Sequence, residues 1–365
     1  MKIGIDISRV FVKEGTGTEE YSRQLVTHLA SMDTGADKFF LYVKEGTKID
    51  FTLPSNFSVR EVRGNFLWTQ WHLAWELWIH PVDVFFVLAH TIPFLHPRKS
   101  VVTVHGLEFK NCPDCYTWKQ RRILERDTRF SIASAAKIIV PSENTKRDIV
   151  KFYKVPLEKI SVVYHGAPVV SDIEKKNNRE VFNILFVGRM EKRKNVARMV
   201  RAFGMFMQKM EESSPGCGEN VRLILAGKVG YGHKEIQKEI TKSAYGKNII
   251  EKGYVSEKEK EKLYADADVF LFPSLAEGFG LPVLEAMSYG VSVVTSRETA
   301  LAEIAGDAAL LVDPTREEDI AYALWKLFVS LEEGENLVRK GYENLHRFSW
   351  EKCARETLDV LKKWK

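Results

Sequence analysis

Residues 268–290 read DVFLFPSLAEGFGLPVLEAMSYG, and their order of elements decides the fold. The apolar run from Asp268 to Ser274 has the length and composition of a strand buried on both faces. Gly278 and Gly280 then free the backbone for close approach to a ligand, and Pro282 suits a first helical turn. The result is strand, glycine loop and helix, with the unpaired N–H groups of the helix start aimed at whatever binds there. Glu277 stays in the loop and Glu285 lies about one turn inside the helix, so two carboxylates can face one ligand from different elements. Carboxylates accept strong hydrogen bonds from vicinal hydroxyls, which sugars and ribose supply.

The same alternation runs outward in both directions. KIGIDI, FFLYV, VDVFFV, VVTVHG and KIIVPS precede it, and FNILFVGR, RLILAGK, NIIEKGYV and VSVVTS surround it. Longer amphipathic stretches separate these runs, which is the mark of parallel βαβ units. The polar segment VSDIEKKNNR breaks the rhythm once. An α/β chain of two doubly wound halves is therefore expected, with residues 1–169 as the first domain, 170–180 as linker and 181–346 as the second. Residues 347–365 should form a closing helix, N-capped by Ser349 and packing back on the first domain. Ligands in such sheets gather at the carboxyl ends of the strands.

The chain has 365 residues, enough for two cores. Its 54 Lys and Arg against 49 Asp and Glu give a surplus of +5, too mild for a nucleic-acid partner but compatible with anionic ligands. No run approaches the roughly 18 apolar residues of a membrane span, and the first residues read as a strand, so a cytoplasmic protein is expected. Cys112 and Cys115 form a lone CxxC without a second pair or nearby histidines, and they read as loop or buried thiols rather than a zinc site.

A second cluster, VGRMEKRKN from Val187 to Asn195, follows another strand, and glycine followed by cations suits a diphosphate. Lys192 and Arg193 read as solvated charges at a helix start. Gly15-Thr16-Gly17 lies between the first strand and the helix near Glu19, and His105 closes the strand VVTVHG. Trp68, Trp71, Trp75 and Trp78 recur at spacings of three, four and three, a helical stripe that reads as core. The alternative for that stripe is a peripheral membrane contact, with the basic run Lys119, Arg121, Arg122 and Arg126 beside it.

Glu277 and Glu285 in this setting resemble the Glu-x7-Glu signature of the retaining GT-B glycosyltransferases of family four, and the resemblance is densest from Gly253 to Pro314. It implies a GT-B architecture, two Rossmann-like domains facing a cleft. It further implies transfer of a hexose from a nucleotide sugar to a glycan, lipid-linked or small-molecule acceptor, with retention of configuration. On this resemblance Glu277 holds the transferred sugar and Glu285 the donor ribose, while the amides of Gly278, Phe279, Gly280 and Leu281 meet sugar and phosphate. Arg189 and Lys194 take the diphosphate, Tyr254 and Val255 meet the nucleobase through their backbone, and Gly15, Thr16 and Gly17 approach the donor and acceptor. His105 is the cleft histidine, although Gly106 stands where many relatives carry Asp. A mannosyltransferase flavour in LAGKVGYG and the tryptophan segment favours GDP-mannose over UDP- or ADP-sugars. No cofactor is expected and no metal, although Asp266-Ala267-Asp268 matches a metal-binding Asp-x-Asp pattern.

Two other readings compete. An NAD-dependent oxidoreductase needs a G-x-G-x-x-G with an acidic residue about twenty positions on, and neither half opens that way. A catalytically inactive sugar-nucleotide-binding protein has no need of Glu277, Glu285, Arg189 and Lys194 together.

Overall fold

The computed structural model describes residues 1–8, 10, 17–64, 66–89, 91–170, 181–214 and 216–363. The chain divides into two units, each built on its own parallel sheet. The first comprises Met1–Leu107, Trp118–Gly166 and Phe348–Lys365; the second comprises Glu108–Thr117 and Ala167–Arg347. Residues 171–180, most of the expected linker, lie outside the described residues.

In the first unit the strands are β1 (Lys2–Asp6), β2 (Lys38–Lys44), β3 (Phe57–Val62), β4 (Val84–Val87), β5 (Ser100–Thr103), β6 (Lys137–Val140) and β7 (Ile160–Val162). They pair in the order β3-β2-β1-β4-β5-β6-β7. Helices α1 (Gly17–Ser31) and α2 (Ala74–Ile79) come early in the chain, the short α3 (Glu108–Asn111) belongs to the second unit, and α4 (Trp118–Ser134) and α5 (Glu143–Tyr153) follow. β4 and β5 are buried at every position, which is why they read as unbroken apolar runs rather than alternating ones. α5 is fixed by local chemistry. Ser142 caps it by accepting from the Thr145 N–H at 3.0 Å, and Lys154 ends it in the left-handed region at φ 55°.

The second unit repeats the scheme with β8 (Phe182–Val187), α6 (Val196–Ser213), β9 (Val221–Ala226), α7 (His233–Lys242), β10 (Ile249–Gly253), α8 (Glu257–Ala265) and β11 (Val269–Phe272). Then come α9 (Leu281–Ser288), β12 (Ser292–Ser296), α10 (Ala300–Ala305), β13 (Ala309–Val312), α11 (Glu317–Val329) and α12 (Leu331–Leu345). Its sheet runs β10-β9-β8-β11-β12-β13. Ser256 and Glu259 form a reciprocal capping box that starts α8. The last helix, α13 (Trp350–Lys362), belongs to the first unit and is capped by Ser349, which accepts from the Lys352 N–H at 3.2 Å. In the second sheet the strand order reverses between β8 and β11, the place where doubly wound sheets open a crevice.

Two sequence readings need correction. Trp68 is buried and donates its indole N–H to the Val62 carbonyl at 3.0 Å, but Trp71, Trp75 and Trp78 are exposed. The segment enters through a widened π turn, Thr69–Leu73, which shifts the helical phase; Leu73, Ala74 and Leu77 then take the inward face and leave the indoles outside. Cys112 and Cys115, read as thiols, are joined in a disulfide, because the tight turn Pro113–Cys115 brings their Cα atoms to 5.4 Å.

Candidate active site of the second unit

The crevice position is set by register. Ile184 pairs with Val269 and Leu185 with Phe270, so the segments leaving β8 at Val187 and β11 at Phe272 emerge side by side. The first of these carries Gly188 to Asn195 and the second Glu277. Gly227, at the end of β9, has φ 140°, and a Cβ there would lie 1.9 Å from the Gly188 carbonyl oxygen. Only glycine lets these two loop backbones meet. Gly280 is held at φ 120°, where a Cβ would strike the Leu301 side chain at 2.4 Å, and it starts α9 with no side-chain cap. Pro282 sits in the first turn of α9, as the sequence pattern predicts.

Glu277 is almost fully buried and lies between two cations. Lys194 Nζ donates to its Oε1 at 2.6 Å and Arg193 Nη1 stands 2.9 Å from the same oxygen. Burial alone raises a carboxyl pKa, but these cations outweigh it, and Glu277 is held below the usual range. Burial lowers the Lys194 pKa despite its partner, and the ammonium also lies 4.6 Å from the centre of the Phe272 ring. Arg193, read from sequence as solvated, is instead largely buried: it bonds Glu191 at 2.9 Å and the Ala276 carbonyl at 2.9 Å. The reason is the three-residue turn Lys192–Lys194, which sends Lys192 outward and its two successors inward. Arg189 is exposed at the end of β8.

Glu108 is a residue that sequence reading missed. Burial pushes its carboxyl pKa up, with the charge of Arg193 opposing, so Glu108 and Glu277, both within the field of that guanidinium, are shifted in opposite directions. Burial would lower the Arg193 pKa, but the facing Glu277 and Glu108 raise it on balance.

Glu285 is held on α9 by two groups from α8: Tyr264 donates its hydroxyl at 2.9 Å and Lys260 its ammonium at 3.1 Å. Tyr264 is buried and stacks on Tyr289, with ring centres 5.5 Å apart. A carboxylate accepts about four hydrogen bonds, so capacity for further donors remains. Neither Lys260 nor Tyr264 was singled out from the sequence, although their spacing of four places them on one helical face toward Glu285. Tyr254, beyond β10, is exposed, with Lys228 Nζ 4.7 Å from its ring centre, and Val255 follows it. Gly278, Phe279 and Leu281 complete the loop and first turn, with Phe279 buried.

Four expected site residues are not among these: two are outside the described residues and two belong to the first unit. Gly15 and Thr16 lie outside the described residues, and Gly17 is the first residue of α1. His105, in the first unit, donates its Nε2–H to the Leu88 carbonyl at 2.8 Å and meets Tyr21 edge to face at 4.8 Å.

Two family models match the chain, one described as Glycosyltransferase Family 4 over residues 16–169 and one as Glycosyl transferases group 1 over residues 171–344. The chain belongs to the family-four glycosyltransferases. This glycosyltransferase is 28% identical over 277 residues to O-antigen chain mannosyltransferase B of Escherichia coli, covering 73% of the chain and 70% of that protein. It is 25% identical to D-inositol 3-phosphate glycosyltransferase of Paenarthrobacter aurescens, covering 78% of the chain and 67% of that protein. Among solved structures it resembles sucrose-phosphate synthase from Thermosynechococcus elongatus, with TM-score 0.76, 16% identity and coverage of 100% and 98%. It also resembles WaaG, a glycosyltransferase involved in lipopolysaccharide biosynthesis, with TM-score 0.73, 15% identity and coverage of 100% of both chains. At those identities the structural likeness establishes the fold, which is GT-B with two Rossmann-like domains.

Proposed function

We propose that this glycosyltransferase moves a hexose, mannose foremost, from a nucleoside-diphosphate sugar to a hydroxyl of a glycan or lipid-linked acceptor, with retention of anomeric configuration. The observation that carries the reading is Glu277, one buried carboxylate pinned by Lys194 and Arg193 on the loop that runs into α9. In the reaction the acceptor oxygen bonds to the anomeric carbon, the bond to the diphosphate breaks, and the hydroxyl proton leaves. The site must therefore bind sugar hydroxyls and stabilise a departing anion. Glu277, kept ionised by its cations, accepts from hydroxyls of the transferred sugar. Lys194 carries three N–H donors and spends one on Glu277, so it can also reach the diphosphate, with Arg189 as the second cation. The amides from Gly278 to Leu281 add the partial positive charge of a helix start. Glu285 takes the donor ribose, and the backbone of Tyr254 and Val255 meets the base.

Mannose is placed first because curated relatives carry that name, among them the Escherichia coli O-antigen enzyme. The test is to incubate the protein with GDP-mannose, UDP-glucose and ADP-glucose, with and without glycan acceptors, and to assign the product anomer by NMR. GDP release from GDP-mannose, accelerated by acceptor and giving the donor's own anomer, is the expected result. An inverted product, or binding without consumption of any donor, overturns it.

A further inference from the structure

We infer that the first unit carries a bilayer-docking surface for anionic lipid, made of the exposed indoles of Trp71, Trp75 and Trp78 together with the cationic outer side of α4. This inference rests on exposure and charge and is independent of the donor and acceptor reading above. Trp71 is 68% exposed, Trp75 60% and Trp78 71%, and the last two rings lie 5.0 Å apart, so the indoles form a shelf rather than scattered surface residues. Just before them Phe66 is 80% exposed, and Leu67 is held at φ 47° in the left-handed region. A branched residue rarely adopts that conformation, and here it turns two more apolar side chains outward. An unpartnered apolar patch of this kind marks an interaction surface.

The shelf is continuous with α4. The Phe94 N–H donates to Gln70 Oε1 at 2.7 Å, next to Trp71, and the Phe94 ring meets Phe130 of α4 edge to face at 4.9 Å. Counting back from Phe130 by four, eight and eleven residues along the same helical side gives Arg126, Arg122 and Lys119. All three are exposed. From Trp118 to Ser134 the sequence has five cations, Lys119, Arg121, Arg122, Arg126 and Arg129, against two acids, Glu125 and Asp127. Those acids are engaged within the helix by Arg129 at 2.6 Å and Arg126 at 2.8 Å. Glu76, the acid within the tryptophan segment, is paired with His80 at 3.0 Å.

This chemistry selects an occupant. Indoles favour the headgroup level of a bilayer, where an apolar ring and a polar N–H are both accommodated, and clustered Lys and Arg are drawn to anionic lipid. A second copy of the chain is a poor fit, because a two-fold contact through this patch sets its cations against one another.

Flotation with vesicles of phosphatidylglycerol and phosphatidylcholine, compared with phosphatidylcholine alone, tests the inference. The protein is expected to float with the anionic vesicles, and high salt should release most of it. The variant Trp71→Ser/Trp75→Ser/Trp78→Ser should lose binding by about tenfold or more, since each indole withdraws a large apolar area from water. Its melting temperature and donor turnover should stay unchanged. Arg122→Gln/Arg126→Gln should weaken binding by about fivefold for each charge removed. Equal flotation with neutral and anionic vesicles overturns the inference, as does undiminished binding by a folded tryptophan variant. So does a dimer in sedimentation velocity that the tryptophan changes dissolve while vesicles bind nothing.

Discussion

Lys194 and Glu277 touch at 2.6 Å, yet the proposed reaction asks different things of them. The charge that Lys194 meets on the diphosphate persists in the product, whereas the sugar that Glu277 meets departs with the acceptor. Lys194→Ala should therefore weaken nucleoside-diphosphate binding about tenfold to a hundredfold, the worth of a hydrogen bond to a charged group. Turnover should fall with it. Glu277→Gln should cut turnover by about a hundredfold or more while leaving product affinity within a few fold. Calorimetry with the nucleoside diphosphate, set beside single-turnover rates, separates the two, and a shared pattern would refute these roles. The placement of Glu277, Glu285 and Lys194 beyond strand ends and at a helix start was legible in the sequence because glycines, proline and a strand end frame them. Arg193 was not: three consecutive cations do not reveal which of them a tight turn sends inward. Glu108 was hidden for a different reason, since the charges that act on it, Arg193 and Glu277, lie more than eighty residues away in the chain.

At the scale of elements, what matters is which end of a strand a residue occupies. Asp266 caps the end of α8, and Asp268 immediately precedes β11. Asp268 accepts from the Asn183 N–H at 2.7 Å, and the Asp266 carbonyl accepts from the Asn183 side chain at 2.9 Å, so both are engaged in tying α8 and β11 to the start of β8. Glu277 and Lys194 sit beyond the other end of these strands. About five residues at roughly 3.3 Å each put some 17 Å between the Asp-x-Asp and the proposed diphosphate position. On the proposed reading the leaving group lies at the carboxyl end of β11, too far for a cation held at its amino end, and Lys194, Arg189 and the start of α9 would supply the positive charge there. Turnover in excess chelator is therefore expected to equal turnover in magnesium, and a loss above about tenfold that magnesium restores would reverse the assignment. The alternation of apolar runs made the strands readable, since burial on both faces leaves a strong signal. The tryptophan segment misled because Leu73, Ala74 and Leu77 offer a second apolar face, and the π turn, invisible to a period of 3.6, decides between the two.

Over the whole molecule, the first unit is completed by the last helix in the chain. Lys362 of α13 and the amino group of Met1 both bond Asp37, each at 2.7 Å, so one carboxylate ties down elements from the two ends of the sequence. Trp350, opening α13, stacks on His165 with ring centres 5.9 Å apart, and a Cβ at Gly166 would lie 2.3 Å from the Trp350 backbone nitrogen. The polar break and the restart of strands made two domains legible, but the return of the chain is set by tertiary contacts such as these. His165 gives that return a pH dependence. Burial, aided by the neighbouring His105, drives its pKa well below 6.5, and Tyr21 closes its ring environment at 4.4 Å. In the unfolded chain the imidazole takes a proton near pH 6.5. Below that value the unfolded state binds more protons than the folded one, so stability from this residue is lost as pH falls toward its folded pKa; above it both states are neutral and the residue contributes no slope. The slope cannot exceed about 1.4 kcal/mol per pH unit for one proton. Hydrogen exchange of the α13 amides between about pH 7.5 and 5.5, corrected for intrinsic rates, should show protection falling over the acidic half of that range. His165→Phe keeps an aromatic ring beside Trp350 and Tyr21 but cannot titrate, so its corrected protection should be flatter than that of the parent protein. Parallel pH profiles for the two proteins would remove His165 as the source of the acid sensitivity, and Asp37, whose depressed pKa acts only at lower pH, would not replace it in this range.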